Sequence, residues 1–173
     1  MNSKDEIRLR KYRSNLYVAG KSYILFGAWS IAKIFLTYTM QKGMFDDYIE
    51  SMYDTGIDDS IVMIVGVLCI IIVALFAMSL HLWTGLGAIR YANEKKRGLA
   101  FLFPGALIFV LTIVCTPLYF VDQNGLPNMP GLEDFASMFV DYTVLFIFVD
   151  IVFSIIKINK CYKKIINAEA QSA

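Results

Sequence analysis

The chain is poor in the side chains that enzymes use for chemistry. It holds a single histidine, His81, so a metal site would have to draw its other ligands from Asp, Glu or Cys. Its three cysteines, Cys69, Cys115 and Cys161, form no C-x-x-C pair, which removes the simplest thiol-redox site. There is no G-x-S-x-G nucleophile elbow, no H-E-x-x-H helix and no Asp-rich phosphate-transfer motif. The acids of Asp54-x-Gly56-x-Asp58-Asp59 resemble part of a cation-binding loop but lack the Glu that closes an EF-hand. A hydrated loop that caps a helix accounts for them as well. These absences predict a non-enzymatic protein with no cofactor and no bound metal.

Charge is scarce too. Asp, Glu, Lys and Arg make up 18% of residues, where a soluble domain has about a quarter. Hydrophobic residues reach 57% and the mean hydropathy is +0.56. The net charge of +1 is an average over segments of opposite sign.

Those segments alternate. Before Ser22 come Lys4, Arg8, Arg10, Lys11, Arg13 and Lys21 against Asp5 and Glu6. Residues 41–60 carry Asp46, Asp47, Glu50, Asp54, Asp58 and Asp59 against Lys42. Arg90, Lys95, Lys96 and Arg97 follow against Glu94, then Asp122, Glu133 and Asp134, then Lys157, Lys160, Lys163 and Lys164 against Glu169. Apolar stretches separate these segments at 22–41, 61–89, 98–121 and 135–157. Each is long enough for a helix to cross the hydrocarbon, which takes about 20 residues. Continuous apolar runs exclude a barrel, which needs alternation, and a helix satisfies its own backbone in lipid. The first run is not a cleaved signal peptide, because its basic flank is long, it holds Lys33 and no small-x-small site follows.

Basic loops stay in the cytoplasm. The expectation is therefore an all-α membrane protein with four transmembrane helices in an up-down-up-down bundle and both termini cytoplasmic. The basic segments are membrane flanks, and no nucleic-acid partner is expected. The partners expected are the lipid bilayer and other membrane subunits or further copies of the chain. Abundant Ile, Phe and Tyr with short loops fit a bacterial cell membrane.

Aromatic residues fall where headgroups should lie. Tyr12, Tyr17, Tyr23, Trp83, Tyr91 and Tyr162 form the expected inner belt, and Tyr38, Tyr48, Tyr53 and Tyr119 the outer one. In the first outer loop, Phe45, Tyr48, Ile49, Met52 and Tyr53 share one helical face. This predicts a short amphipathic surface helix over 44–54, stopped at Gly56. Pro104 fits the first turns of the third span, and Pro117 predicts a kink in its outer third. Cys69 and Cys115 are expected as small packing residues, and Cys161 just inside the cytoplasmic face. Ala28 with Ala32 and Ala74 with Ala77 offer small-residue contacts, as do Gly85, Gly87 and Ala88. Residues 165–173 look frayed.

Four ionisable residues interrupt the apolar stretches: Lys33, His81, Asp141 and Asp150. Each is a candidate, because a charge at the bilayer centre costs at least ~2.5–3.5 kcal/mol. Counted at ~1.5 Å per residue from the outer ends, Lys33 lies about 10–12 Å deep and Asp141 about 8–9 Å deep. They meet if the first and fourth helices are neighbours. They then form either a register-setting ion pair or an ion or substrate site open to the outside. Asp150 lies about 20–23 Å deep and about 180° round the helix from Asp141. It must face the core, a polar cavity or another subunit. Ser154, Lys157 and Cys161 continue from it as a polar stripe to the cytoplasm. His81 belongs near the cytoplasmic boundary, as an interfacial histidine or as a proton relay.

The residues point first to a transport or permeation unit using Asp150 with Lys33 and Asp141, or to an accessory subunit of a membrane complex. The alternative is a membrane-embedded enzyme with acid–base chemistry near His81 and Asp150.

Overall fold

A computed structural model describes residues 3–40, 59–93, 98–121, 129 and 131–170. The described residues form helices and no β-strand: α1 (Ser3–Met40), α2 (Asp59–Ala92), α3 (Leu102–Cys115) and α4 (Leu132–Ala170). The surface helix expected over 44–54, with Gly56, lies outside the described residues.

Two helices overrun their apolar stretches. α1 begins at Ser3, well before Ser22, and α4 continues to Ala170 rather than fraying from 165. Neither extension contains Pro, and the single glycine, Gly20, does not stop α1 because it packs against Gly85 and Ala88 of α2; the two extensions also hold each other. The Arg13 guanidinium sits 5.3 Å from the Tyr162 ring centre, and Lys157 Nζ sits 5.2 Å from that of Tyr12. Tyr91 Oη donates to Asn159 Oδ1 at 2.7 Å, tying in the end of α2.

Local chemistry sets the other boundaries. At the start of α4 the Gly131 carbonyl accepts from Phe135 N–H at 3.1 Å, and Asp134 Oδ2 accepts from Gly131 N–H at 2.9 Å. The first bond opens the helical ladder and the second is the N3 half of a capping box, which gives Asp134 its place at the positive end of the helix. Before α3, a 3-10 turn spans Leu99–Phe101, and Pro104 follows buried in the first α-turn, where a missing N–H costs nothing. Pro117 does not kink a continuing α-helix. α3 ends at Cys115 and tightens into a 3-10 turn over Thr116–Phe120, since proline has no N–H to donate and its ring crowds the preceding turn.

The helices close a ring in which α1 packs on α2 and α4, and α3 more lightly on α2 and α4. All four contacts are antiparallel. Along α1–α2, Gly27 meets His81 while Gly20 meets Gly85 and Ala88. Along α2–α3, Thr84 meets Gly105 while Gly87 meets Phe101. Gly105 and Phe109 of α3 meet Phe148, while Tyr119 meets Asp141. Along α4–α1, Asp141 meets Lys33 and Tyr162 meets Arg13.

The core lies toward the basic end. Its members include Leu16, Tyr23, Ala88, Phe101, Ile151 and Ile158, all buried. The close α1–α2 approach uses Gly20, Gly27 and Gly85, not the expected alanine pair, as Ala28 and Ala32 are exposed. Cys69 and Cys115, expected as small packing residues, are exposed, and Cys161 is buried. The exposed pair sits on stretches of α2 and α3 beyond the core.

Two helices are long and apolar enough to cross a membrane, α2 over Ile64–Ala92 and α4 over Asp134–Ala168. Only 6% of the most apolar stretch of α2 is buried, and 33% of that of α4. Ile64, Leu68, Ile72 and Leu75 are each more than half exposed. So large an open apolar surface requires lipid or protein to cover it.

Candidate functional site

Lys33 reaches from α1 into the groove between α3 and α4. Its Nζ donates to Asp141 Oδ2 at 3.0 Å and to Tyr119 Oη at 2.6 Å. Tyr119 Oη in turn donates to the same Asp141 oxygen at 2.7 Å. Three helical segments thus converge on one carboxylate. The Lys33 ammonium also lies 5.2 Å from the Tyr119 ring centre, within cation–π range. Both charged side chains are 24% exposed, and their mutual neutralisation is what allows them to sit among apolar residues. The expected Lys33–Asp141 pair forms. Tyr119 is the member missed in the sequence, where it reads as an outer-belt aromatic. Beside the triad opens a recess of about 430 Å3 lined by Leu111, Thr112, Cys115, Tyr119 and Asp141.

Asp150 occupies a second place. It is exposed and lines a recess of about 450 Å3 between α1 and α4, where Asn15, Ser22 and Thr143 supply further polar groups. Of the environments expected for it, the packed core is not the one found; the recess is open, and Val18, Ala19, Phe146 and Ile147 make much of its lining apolar. Phe148 and Ile151 fill the core at its level. The expected polar stripe does not continue from it. Ser154 is buried at 3% exposure, Lys157 stays outside over the Tyr12 ring, and Cys161 is buried. The cause is helical geometry, since four residues overshoot one turn by about 40°, enough here to move Ser154 from the rim into the core.

His81 is enclosed between helices rather than open at the surface of the bundle. It is 4% exposed, its ring centre lies 4.9 Å from that of Tyr23, and it packs against Gly27. Tyr23, expected in the inner belt, is itself fully buried. His81 does not line the recess that holds Asp150, so the two do not share a site. Among the described residues no group of three His, Cys, Asp or Glu side chains comes together to hold a metal ion.

No protein-family model matches the chain, and no curated protein or solved structure matches it.

Proposed function

We propose that the protein spans a cell membrane four times with both termini in the cytoplasm, and that it is a non-enzymatic permeation unit for protons or small cations. One observation carries this reading. α4 presents two of its carboxylates, those within its apolar stretch, to two separate recesses: Asp141 beside α3, Asp150 beside α1. They are nine positions apart, about 14 Å along the helix. Val144, Leu145 and Phe148 lie buried between them. On this reading the structure is a closed state. The Asp150 recess serves the cytoplasmic half, where the basic ends of α1, α2 and α4 converge. The Asp141 recess serves the outer half, and Lys33 with Tyr119 acts as its latch. A carboxylate is suited to the task because it exchanges protons and attracts cations.

A second reading has its own support. Phe139, Phe146 and Phe153 are exposed on the same side of α4 as Asp150. In an accessory subunit, that face would bind a partner helix and Asp150 would find a hydrogen-bond donor there. Reconstitution separates the two. The purified protein in liposomes, under an imposed pH gradient, should raise proton flux several-fold above protein-free vesicles. Flux at the protein-free level, together with a fixed partner retained through mild-detergent purification, would transfer the case to the accessory subunit.

A further inference from the structure

Three buried polar atoms lie on the packed faces of α1 and α2, two of them on side chains in contact, and the proposed permeation path uses none of them. His81 Nδ1, Tyr23 Oη and Thr84 Oγ1 have no hydrogen-bond partner among the described residues. Their side chains are 4%, 0% and 0% exposed. Buried polar atoms in folded proteins are nearly always partnered, so three such exceptions mark a site rather than filler. Tyr23 lies against His81, and Thr84 follows His81 by one turn of α2.

The helices around these atoms have no slack. A Cβ placed on Gly27 would lie 2.5 Å from His81 Cγ, and one on Gly20 would lie 2.9 Å from the Gly85 carbonyl oxygen. The imidazole is clamped against backbone. Nothing near it balances a charge. Tyr23 is the titratable group facing it from α1. Beyond Tyr23, α4 contributes Phe148, and beyond Thr84, α3 contributes Gly105. Asp141 is engaged by Lys33 and Tyr119, and Asp150 lines its own recess. No charged side chain among the described residues interacts with the ring.

We propose that His81 is a proton-binding site that switches the α1–α2 contact. The neutral ring fits the packed helices. An imidazolium in the same enclosure would lack both water and a counter-ion, which is costly. Protonation is therefore satisfied by separation of α1 from α2 and entry of water to His81, Tyr23 and Thr84. Packed interfaces respond to such a charge by moving between discrete arrangements, because they do not deform continuously. Acidification favours the separated form. The proposal is independent of what the protein carries.

The chain's only histidine makes the test direct. The full chain, labelled with 15N-histidine in nanodiscs, gives one imidazole whose protonation is followed by NMR between pH 8 and 3.5. In parallel, spin labels at Leu25→Cys and Leu86→Cys, both exposed positions, report the α1–α2 distance in a background without native cysteines. The ring should be neutral at pH 8. Its protonation and a lengthening of about 2 Å, the scale of helix shifts, should occur over the same pH interval. His81→Gln should hold the packed distance throughout. A ring that protonates while the distance stays constant overturns the proposal. So does a ring that remains neutral to pH 3.5, or an unchanged distance response in His81→Gln. If His81→Gln does not fold, the wild-type NMR and distance curves still decide by their coincidence.

Discussion

Lys33 and Asp141 lie 108 positions apart in the chain, and their side chains meet at 3.0 Å. The contact closes the ring of helices between its first and last members. It also holds together the end of the bundle away from the core, where little else among the described residues is buried. Removing either partner leaves a charge among apolar side chains, and removing both does not. Lys33→Met and Asp141→Leu should therefore each destabilise the protein, and the double change should recover part of the loss. A coupling of about 0.5–3 kcal/mol is expected for neighbours of this kind. Thermal unfolding of all four proteins in one detergent measures it, and strict additivity would exclude an energetic role for the pair.

Tyr119 supplies the third contact to the same carboxylate oxygen. Tyr119→Phe keeps the ring over Lys33 and removes the hydroxyl. It should lower stability by about 0.5–1.5 kcal/mol, as loss of one hydrogen bond does. The loss should largely vanish in an Asp141→Leu background. An equal loss with and without Asp141 would show that the hydroxyl acts elsewhere.

The α1–α2 approach predicts a steric effect at one glycine. Gly27→Ala places a methyl group against His81 and should cost about 1–3 kcal/mol, the range for overpacking. His81→Ala should relieve much of that cost, because it removes the obstructing side chain. Ala28→Val, one position on but exposed, should cost far less. Equal costs at 27 and 28 would mean that the contact is loose.

How much of this is legible in the sequence depends on what each residue needs. Lys33 and Asp141 are legible because a charge within an apolar stretch demands a partner, and a ring of antiparallel helices limits who that is. Tyr119 is not, because a tyrosine near the end of a span suits the headgroup layer equally well. Its direction is set by the 3-10 turn that Pro117 forces. His81 reads as interfacial only while the bundle is taken to end with the bilayer. The helices continue, Leu16, Ala92 and Ile158 extend the core, and a histidine near the expected boundary is still inside protein. Cys69 and Cys115 mislead because a small apolar residue in a membrane helix is at ease against lipid or against a neighbour. Ser154 misleads because a polar stripe drawn at four-residue spacing drifts round the helix.

The proposed orientation rests on the basic segments and is open to direct labelling. In a protein without native cysteines, single cysteines at 46–58 and 124–131 should react with an impermeant maleimide from outside. Those at 94–97 and 160–168 should react from inside alone. Outside labelling at 94–97 would invert the proposed topology and exchange the roles of the two recesses.

The account turns on Asp150, the carboxylate at the recess between α1 and α4. Asp150→Asn has nearly the same shape as the protonated acid and should leave fold and yield intact, while it can neither release a proton nor attract a cation. The decisive measurement is proton flux into liposomes that contain equal amounts of wild type, Asp150→Asn and Asp150→Glu. Flux several-fold above protein-free vesicles is predicted for wild type, with the protein-dependent part of that flux reduced at least about tenfold in Asp150→Asn, the effect of ~1.4 kcal/mol, and partly recovered in Asp150→Glu. Wild-type flux in Asp150→Asn, or no flux in any of the three, would contradict the proposed function.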